Sequence, residues 1–165
     1  MTRNERLIIA ILLIAIIAVG IMVITDNRRA EVIIEDFKAP SFDEGAVLGV
    51  PENVDGAYRY SELAVAEGFI VSMCIDPVVV GEEAQVYFTS AAENTVWTKL
   101  QLFDENGRLL GESGVLRPGE YVESVALLNV PKESSLIVAK LLSYEPDTYY
   151  SKGTATAQIM LHINE

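Results

Sequence analysis

Leu7 to Thr25 reads LIIAILLIAIIAVGIMVIT, nineteen residues without a charge or a proline and with a single glycine. At about 1.5 Å rise per residue a helix of this length spans roughly 28 Å, close to the ~30 Å hydrocarbon core of a bilayer. A surface helix needs a polar face, and this run has none. The segment therefore predicts a transmembrane helix over 7–25 behind a cytoplasmic tail of residues 1–6. Ala18-Val19-Gly20 offers a small-x-small site for cleavage as a signal peptide. Ile21 to Ile24 prolong the apolar run past that site, which favours a retained signal-anchor. Arg3 and Arg6 on one side face Arg28, Arg29 and Lys38 on the other, so lysine and arginine alone do not orient it. The short leading tail and the β-rich composition downstream favour a single pass through the plasma membrane with the C-terminal domain extracytoplasmic.

The chain carries 12 Lys+Arg against 24 Asp+Glu, a formal net charge of −12. The acids are scattered, as on a solvated domain surface, and their field repels nucleic acid. The single Cys74 excludes an intramolecular disulfide. It lies in the strand-like run FIVSMCI, where a cysteine acts as a small buried hydrophobe.

Residues 26–68 read as a stalk, with prolines, glycines and acids between Pro40 and Asp55. Within it DGAYRYSELAVAE has helical spacing, which predicts a short linker helix near 56–67 with Asp55 as N-cap and Gly68 as stop. From Phe69 the pattern changes to strands: Phe69–Ile75, Ala84–Ser90, Val96–Phe103, Arg108–Glu112, Tyr121–Leu128, Leu136–Tyr144 and Thr154–Asn164. Asn106-Gly107 supplies the positive φ of a tight hairpin, and Arg117-Pro118-Gly119-Glu120 the composition of a type II turn. The last strand alternates most cleanly, with Ala155, Ala157, Ile159, Leu161 and Ile163 on one face. Seven short strands over 69–165 predict a mainly β fold, an antiparallel Ig-like β-sandwich.

No catalytic constellation stands out. His162 is the only histidine, so neither a histidine-based triad nor a histidine-pair metal site can form. Asp76, Glu82, Glu83 and Glu93 fall near strand ends without a calcium-loop motif. Lys140 sits mid-strand, where an isopeptide bond to an asparagine such as Asn164, assisted by Glu123, competes with the plainer reading of a lysine whose head reaches water. Trp97 reads as a core or half-core residue of the third strand. Tyr149 and Tyr150, in EPDTYYSKG, are the best candidates for partner contact, because a tyrosine supplies rigid area with a polar tip. No catalytic, cofactor-binding or metal-binding residue is assigned.

The turns and strand starts carry a resemblance. They are Gly45-Ala46, the expected helix before Phe69, Ile75-Asp76-Pro77, Gly111 to Gly114, Arg117 to Ser124 and Tyr144 to Thr148. In these the chain resembles a loosely defined group of small Gram-positive bacterial surface proteins with an N-terminal membrane anchor and one Ig-like domain. The resemblance implies architecture and envelope location only. Together these readings lead to an expected non-enzymatic, membrane-tethered binding module of the cell envelope with a protein partner and no cofactor. The alternative is a structural subunit or accessory of a surface fibre or secretion assembly, which a sheet edge left open would favour.

Overall fold

A computed structural model describes residues 38–52, 54, 60–65 and 68–163, with backbone alone for 61–65. Ala39–Glu165 forms one compact unit. Its described elements are ten strands: β1 (Val47–Leu48), β2 (Tyr60–Val65), β3 (Phe69–Cys74), β4 (Val78–Val80), β5 (Glu83–Ser90), β6 (Trp97–Phe103), β7 (Leu109–Glu112), β8 (Glu120–Ala126), β9 (Ser135–Tyr144) and β10 (Ser151–Ile163).

The strands form one hydrogen-bonded path in the order β1-β8-β5-β4-β10-β9-β6-β7, with β3 paired to β5 and β2 to β3. The path curls into a half-barrel. Its two sides touch at a single antiparallel bridge, Gly111 with Leu127, where the Leu128 N–H donates to the Leu110 carbonyl at 2.7 Å. Alternation drives the curl, because the inward residues of the long strands are mostly apolar, with Thr98 and Ser143 as buried exceptions. Phe69, Val71 and Met73 of β3, Val86 and Phe88 of β5, and Leu100 and Leu102 of β6 meet Ile137, Leu141, Ile159 and Leu161 of β9 and β10 in one core. The inward face expected for the last strand is the one observed.

The expected fold class is corrected on three counts. First, the assembly is not an antiparallel Ig-like sandwich of seven strands. β4 and β10 run parallel, with His162 opposite Val78 and Ile163 opposite Val79, and the ladder continues without a break from β1 to β7. β10 is long enough to pair β9 along Ser151–Leu161 and still reach β4 with its end. Second, the residues described within the linker helix expected near 56–67 form a strand, while 56–59 and 66–67 lie outside the described residues. Tyr60–Val65 pairs residue for residue with Phe69–Cys74, and ladder hydrogen bonds from a neighbouring strand override weak helical spacing. Third, the transmembrane, signal-anchor membrane reading gains no element. No helix among the described residues is long and apolar enough to cross a membrane, and the run 7–25 lies outside them.

Part of the stretch read as stalk is built into the body. β1 pairs β8, with Val47 opposite Tyr121 and Leu48 opposite Glu120, and Phe42 bridges Val115 in parallel. Pro51 is buried.

β5 carries a bulge between Gln85 and Phe88, where Tyr87 adopts φ 47°. Two residues of β5 there oppose one of β8, which bends the strand into the curl. Above the bulge, Asn94 acts as a substitute strand. Its Oδ1 accepts the Ile70 N–H at 2.8 Å, and its Nδ2 donates to the Ile70 carbonyl at 2.7 Å and to Ser90 Oγ at 3.1 Å. The amide is buried, so truncation takes this partner from the Ile70 N–H, while the Ile70 carbonyl keeps the Ala91 N–H at 3.2 Å. Asn94→Ala is expected to cost about 2 kcal/mol, read as a lowered urea midpoint. Asn94→Asp is expected to cost more, because a carboxylate oxygen would then face the Ile70 carbonyl.

Candidate functional site

The outer face at the start of β6 gathers aromatic side chains from three remote parts of the sequence. Alternation along β6 turns Leu100 and Leu102 inward and leaves Trp97 half-buried on the opposite face. Across the ladder Trp97 stands opposite Tyr144, the last residue of β9. The β9–β10 loop then folds back. The Tyr149 N–H donates to the Glu145 carbonyl at 3.0 Å and the Glu145 N–H to the Tyr150 carbonyl at 2.8 Å. Asp147 and Tyr149 adopt positive φ, 67° and 58°. Asp tolerates this conformation; a bulky tyrosine adopts it only where the surroundings hold it there. Tyr149 is met by Trp97: the rings lie edge to face with centroids 5.0 Å apart. Lys152 pairs with Glu145 at 3.3 Å across the base of the loop.

Phe42 approaches Trp97 from the other side, at 4.8 Å and again edge to face. Its segment is fixed by main-chain bonds: the Asp43 N–H donates to the Val115 carbonyl at 3.0 Å, and the Val115 N–H to the Ser41 carbonyl at 2.9 Å. Asp43 Oδ2 accepts the Gly114 N–H at 2.6 Å. The Arg117 guanidinium lies over the Phe42 ring, 3.7 Å from its centroid, and pairs with Glu120 at 3.1 Å. The result is a row of Arg117, Phe42, Trp97 and Tyr149. Tyr150 stands beside it, 72% exposed.

Below the row, Lys99 and Glu112 pair across β6 and β7 at 2.9 Å, and Gln101 Nε2 donates to the second Glu112 oxygen at 2.8 Å. Burial works to raise the pKa of Glu112. Hydrogen bonds from Gln101 and Lys99, with the lysine charge, more than reverse this and hold it below the ordinary 4.5. Tyr144 is pushed up from 10.0, first by burial and then by the Glu112 charge. A carboxylate whose pKa is lower folded than unfolded stabilises the fold above its ordinary range and loses that contribution as pH falls through the lowered value. Unfolding midpoints measured below pH 4.5 are therefore expected to fall less steeply for Glu112→Gln than for the parent chain. Asp104, which accepts the main-chain N–H groups of Arg108 and Asn106 in the β6–β7 turn, shifts in the same direction.

The two tyrosines named from sequence thus take different places. Tyr149 packs on Trp97, and Tyr150 points to solvent. Phe42 and Arg117 were missed: the first lay in a stretch read as linker, the second in a motif read only as a turn. The other candidates are dispersed. His162 is half-buried, its N–H donating to the Pro77 carbonyl at 2.8 Å. Glu83 accepts from Ser124 Oγ. Lys140 occupies the outer face opposite Gln101 and Thr156, and Asn164 lies outside the described residues. Cys74 is buried, and that burial pushes its thiol above 9.0. Among the described residues no three His, Cys, Asp or Glu side chains converge to hold a metal ion.

Comparison with protein-family models, curated proteins and solved structures finds no match.

Proposed function

We propose that the folded body is a non-enzymatic binding module of the bacterial cell envelope, presented on the extracytoplasmic side. Its contact surface is the row of Arg117, Phe42, Trp97 and Tyr149 with Tyr150 at its edge. The observation that carries this reading is the convergence of three aromatic rings and a stacked guanidinium on one half-exposed face. Tryptophan, tyrosine and arginine dominate the energetics of protein interfaces, because they bring large rigid area together with a polar group. Pre-assembly lowers the cost of binding, since Trp97 and Tyr149 are already ordered against each other. The partner is a protein, and the net charge of −12 on the whole chain favours a basic one. The apolar run 7–25 supports a place at the plasma membrane.

Tyr150→Ala separates contact from folding, because the ring is exposed and its loss leaves the core intact. Affinity cross-linking to envelope fractions is expected to yield a defined protein adduct with the parent chain. Tyr150→Ala is expected to reduce that adduct about tenfold or more, as for an interface anchor. Equal capture by both chains would remove the row as the binding surface. Protease shaving of intact cells tests the location: the body is lost if it faces outward and protected if it does not.

A further inference from the structure

We infer that the outer edge of β10 is a self-pairing edge, on which a second copy of this chain docks antiparallel. β10 pairs β9 along Ser151–Leu161, but on its other side it meets β4 only at His162 and Ile163. There the His162 N–H donates to the Pro77 carbonyl, and the Met160 N–H to the Ile75 carbonyl. In an antiparallel ladder alternate residues direct their main-chain groups to opposite sides. The groups of Thr154, Thr156 and Gln158 therefore point the same way as those of Met160 and His162. Among the described residues no strand meets them.

An open, straight edge is a pairing template, and chains that must stay apart blunt it with charge, proline or a bulge. The stretch Gly153–His162, GTATAQIMLH, carries no charge and no proline, and its one irregularity lies before Thr154. Lys152, at the start of the strand, is neutralised by Glu145. In a molecule of net charge −12 this stretch brings no charged side chain of its own to the pairing. The sequence is also self-complementary. A two-fold axis at Thr156 places Thr156 opposite Thr156 and Thr154 opposite Gln158. Small and β-branched side chains then lie on both faces, as strand pairing favours. This inference does not depend on the aromatic row.

The test uses the full-length chain in mild detergent. Thr156→Cys places two thiols across the axis, where the Cα separation of a hydrogen-bonded antiparallel pair, ~5.5 Å, suits a disulfide. Mild oxidation is expected to give a disulfide-linked dimer at least about fivefold more abundant than with the exposed control Glu123→Cys on β8. Thr156→Pro removes the outward N–H while sparing the bonds to β9. It is expected to keep the far-ultraviolet β spectrum while the light-scattering mass falls to that of one chain. Raising the salt concentration is expected to strengthen the dimer by screening the acidic bodies. Cross-linking of Thr156→Cys no greater than the control would overturn the inference. So would a dimer that survives Thr156→Pro, or an adduct between Thr156→Cys and an unrelated protein in place of a second copy.

Discussion

Gly111→Ala is expected to destabilise the fold strongly, although it adds only one methyl. At most exposed positions, replacing glycine by alanine stabilises slightly, because the unfolded chain loses freedom. Here the added Cβ would sit 2.5 Å from the Ala126 carbonyl oxygen, 3.2 Å from Val125 Cγ1 and 3.3 Å from Leu127 Cδ2. The first of these is main chain and cannot rotate away. Gly111 lies on β7 where the two sides of the curled sheet touch, so relief requires that seam to open. Leu110, Val125 and Leu127, all buried, line the same seam and would admit water. Strain of this kind costs about 3 kcal/mol when the backbone must shift. The readout is the urea midpoint at constant slope, with Gly45→Ala as control. There the new methyl meets only Asp43 Oδ1, at 3.4 Å, and a change within about 0.5 kcal/mol is expected. A Gly111→Ala chain as stable as its parent would mean that β7 and β8 do not meet in solution.

Gly114→Ala is expected to have an effect of similar size but a different character. Its Cβ would fall 2.4 Å from both the Cα and the N of Asp43. Unlike β7, the Ser41–Ala46 segment can leave without unravelling the core. The expected result is local detachment, with loss of the Asp43 and Val115 main-chain bonds and of the Gly114–Asp43 contact. These are worth about 1 kcal/mol each, or about 3 kcal/mol for the set. Phe42 then leaves Trp97, and Arg117 loses the ring beneath it. Trp97 is the only tryptophan, so its emission reports the event directly. A red shift under native conditions, new protease sensitivity around residues 41–50 and weakened partner capture are expected together. An unshifted spectrum would show that the methyl is accommodated and the segment stays in place.

These two glycines also mark the limit of what the residues alone disclosed. Seven of the eight strands from Phe69 onward were legible because alternation writes burial into the sequence at period two, most plainly between Ala155 and Ile163; β4, three residues long, was not. The β6–β7 turn was legible because few residues besides Gly107, at φ 76°, accept its backbone. What remained hidden depends on distant partners. Tyr60–Val65 becomes a strand because β3 lies beside it, and its own spacing does not say so. Gly111 and Gly114 read as ordinary loop-flanking glycines until Ala126 and Asp43 are placed against them. The candidate site was half legible: Tyr149 and Tyr150 announced themselves as a pair in a polar loop. Phe42 and Arg117 join them only after the chain has curled, and no local signal distinguishes a docked segment from a linker.

The parallel pairing of β4 with β10 sets the order in which the molecule can be completed. Val78 meets His162, so an early strand waits for the last one. Loop closure over that length must be met before the contact returns any stability, which makes formation slow. Until β10 arrives, the outer edges of β4 and β9 stand bare, and the core lacks Ile159 and Leu161. The half-barrel therefore cannot be completed before His162 and Ile163 are available to pair with β4.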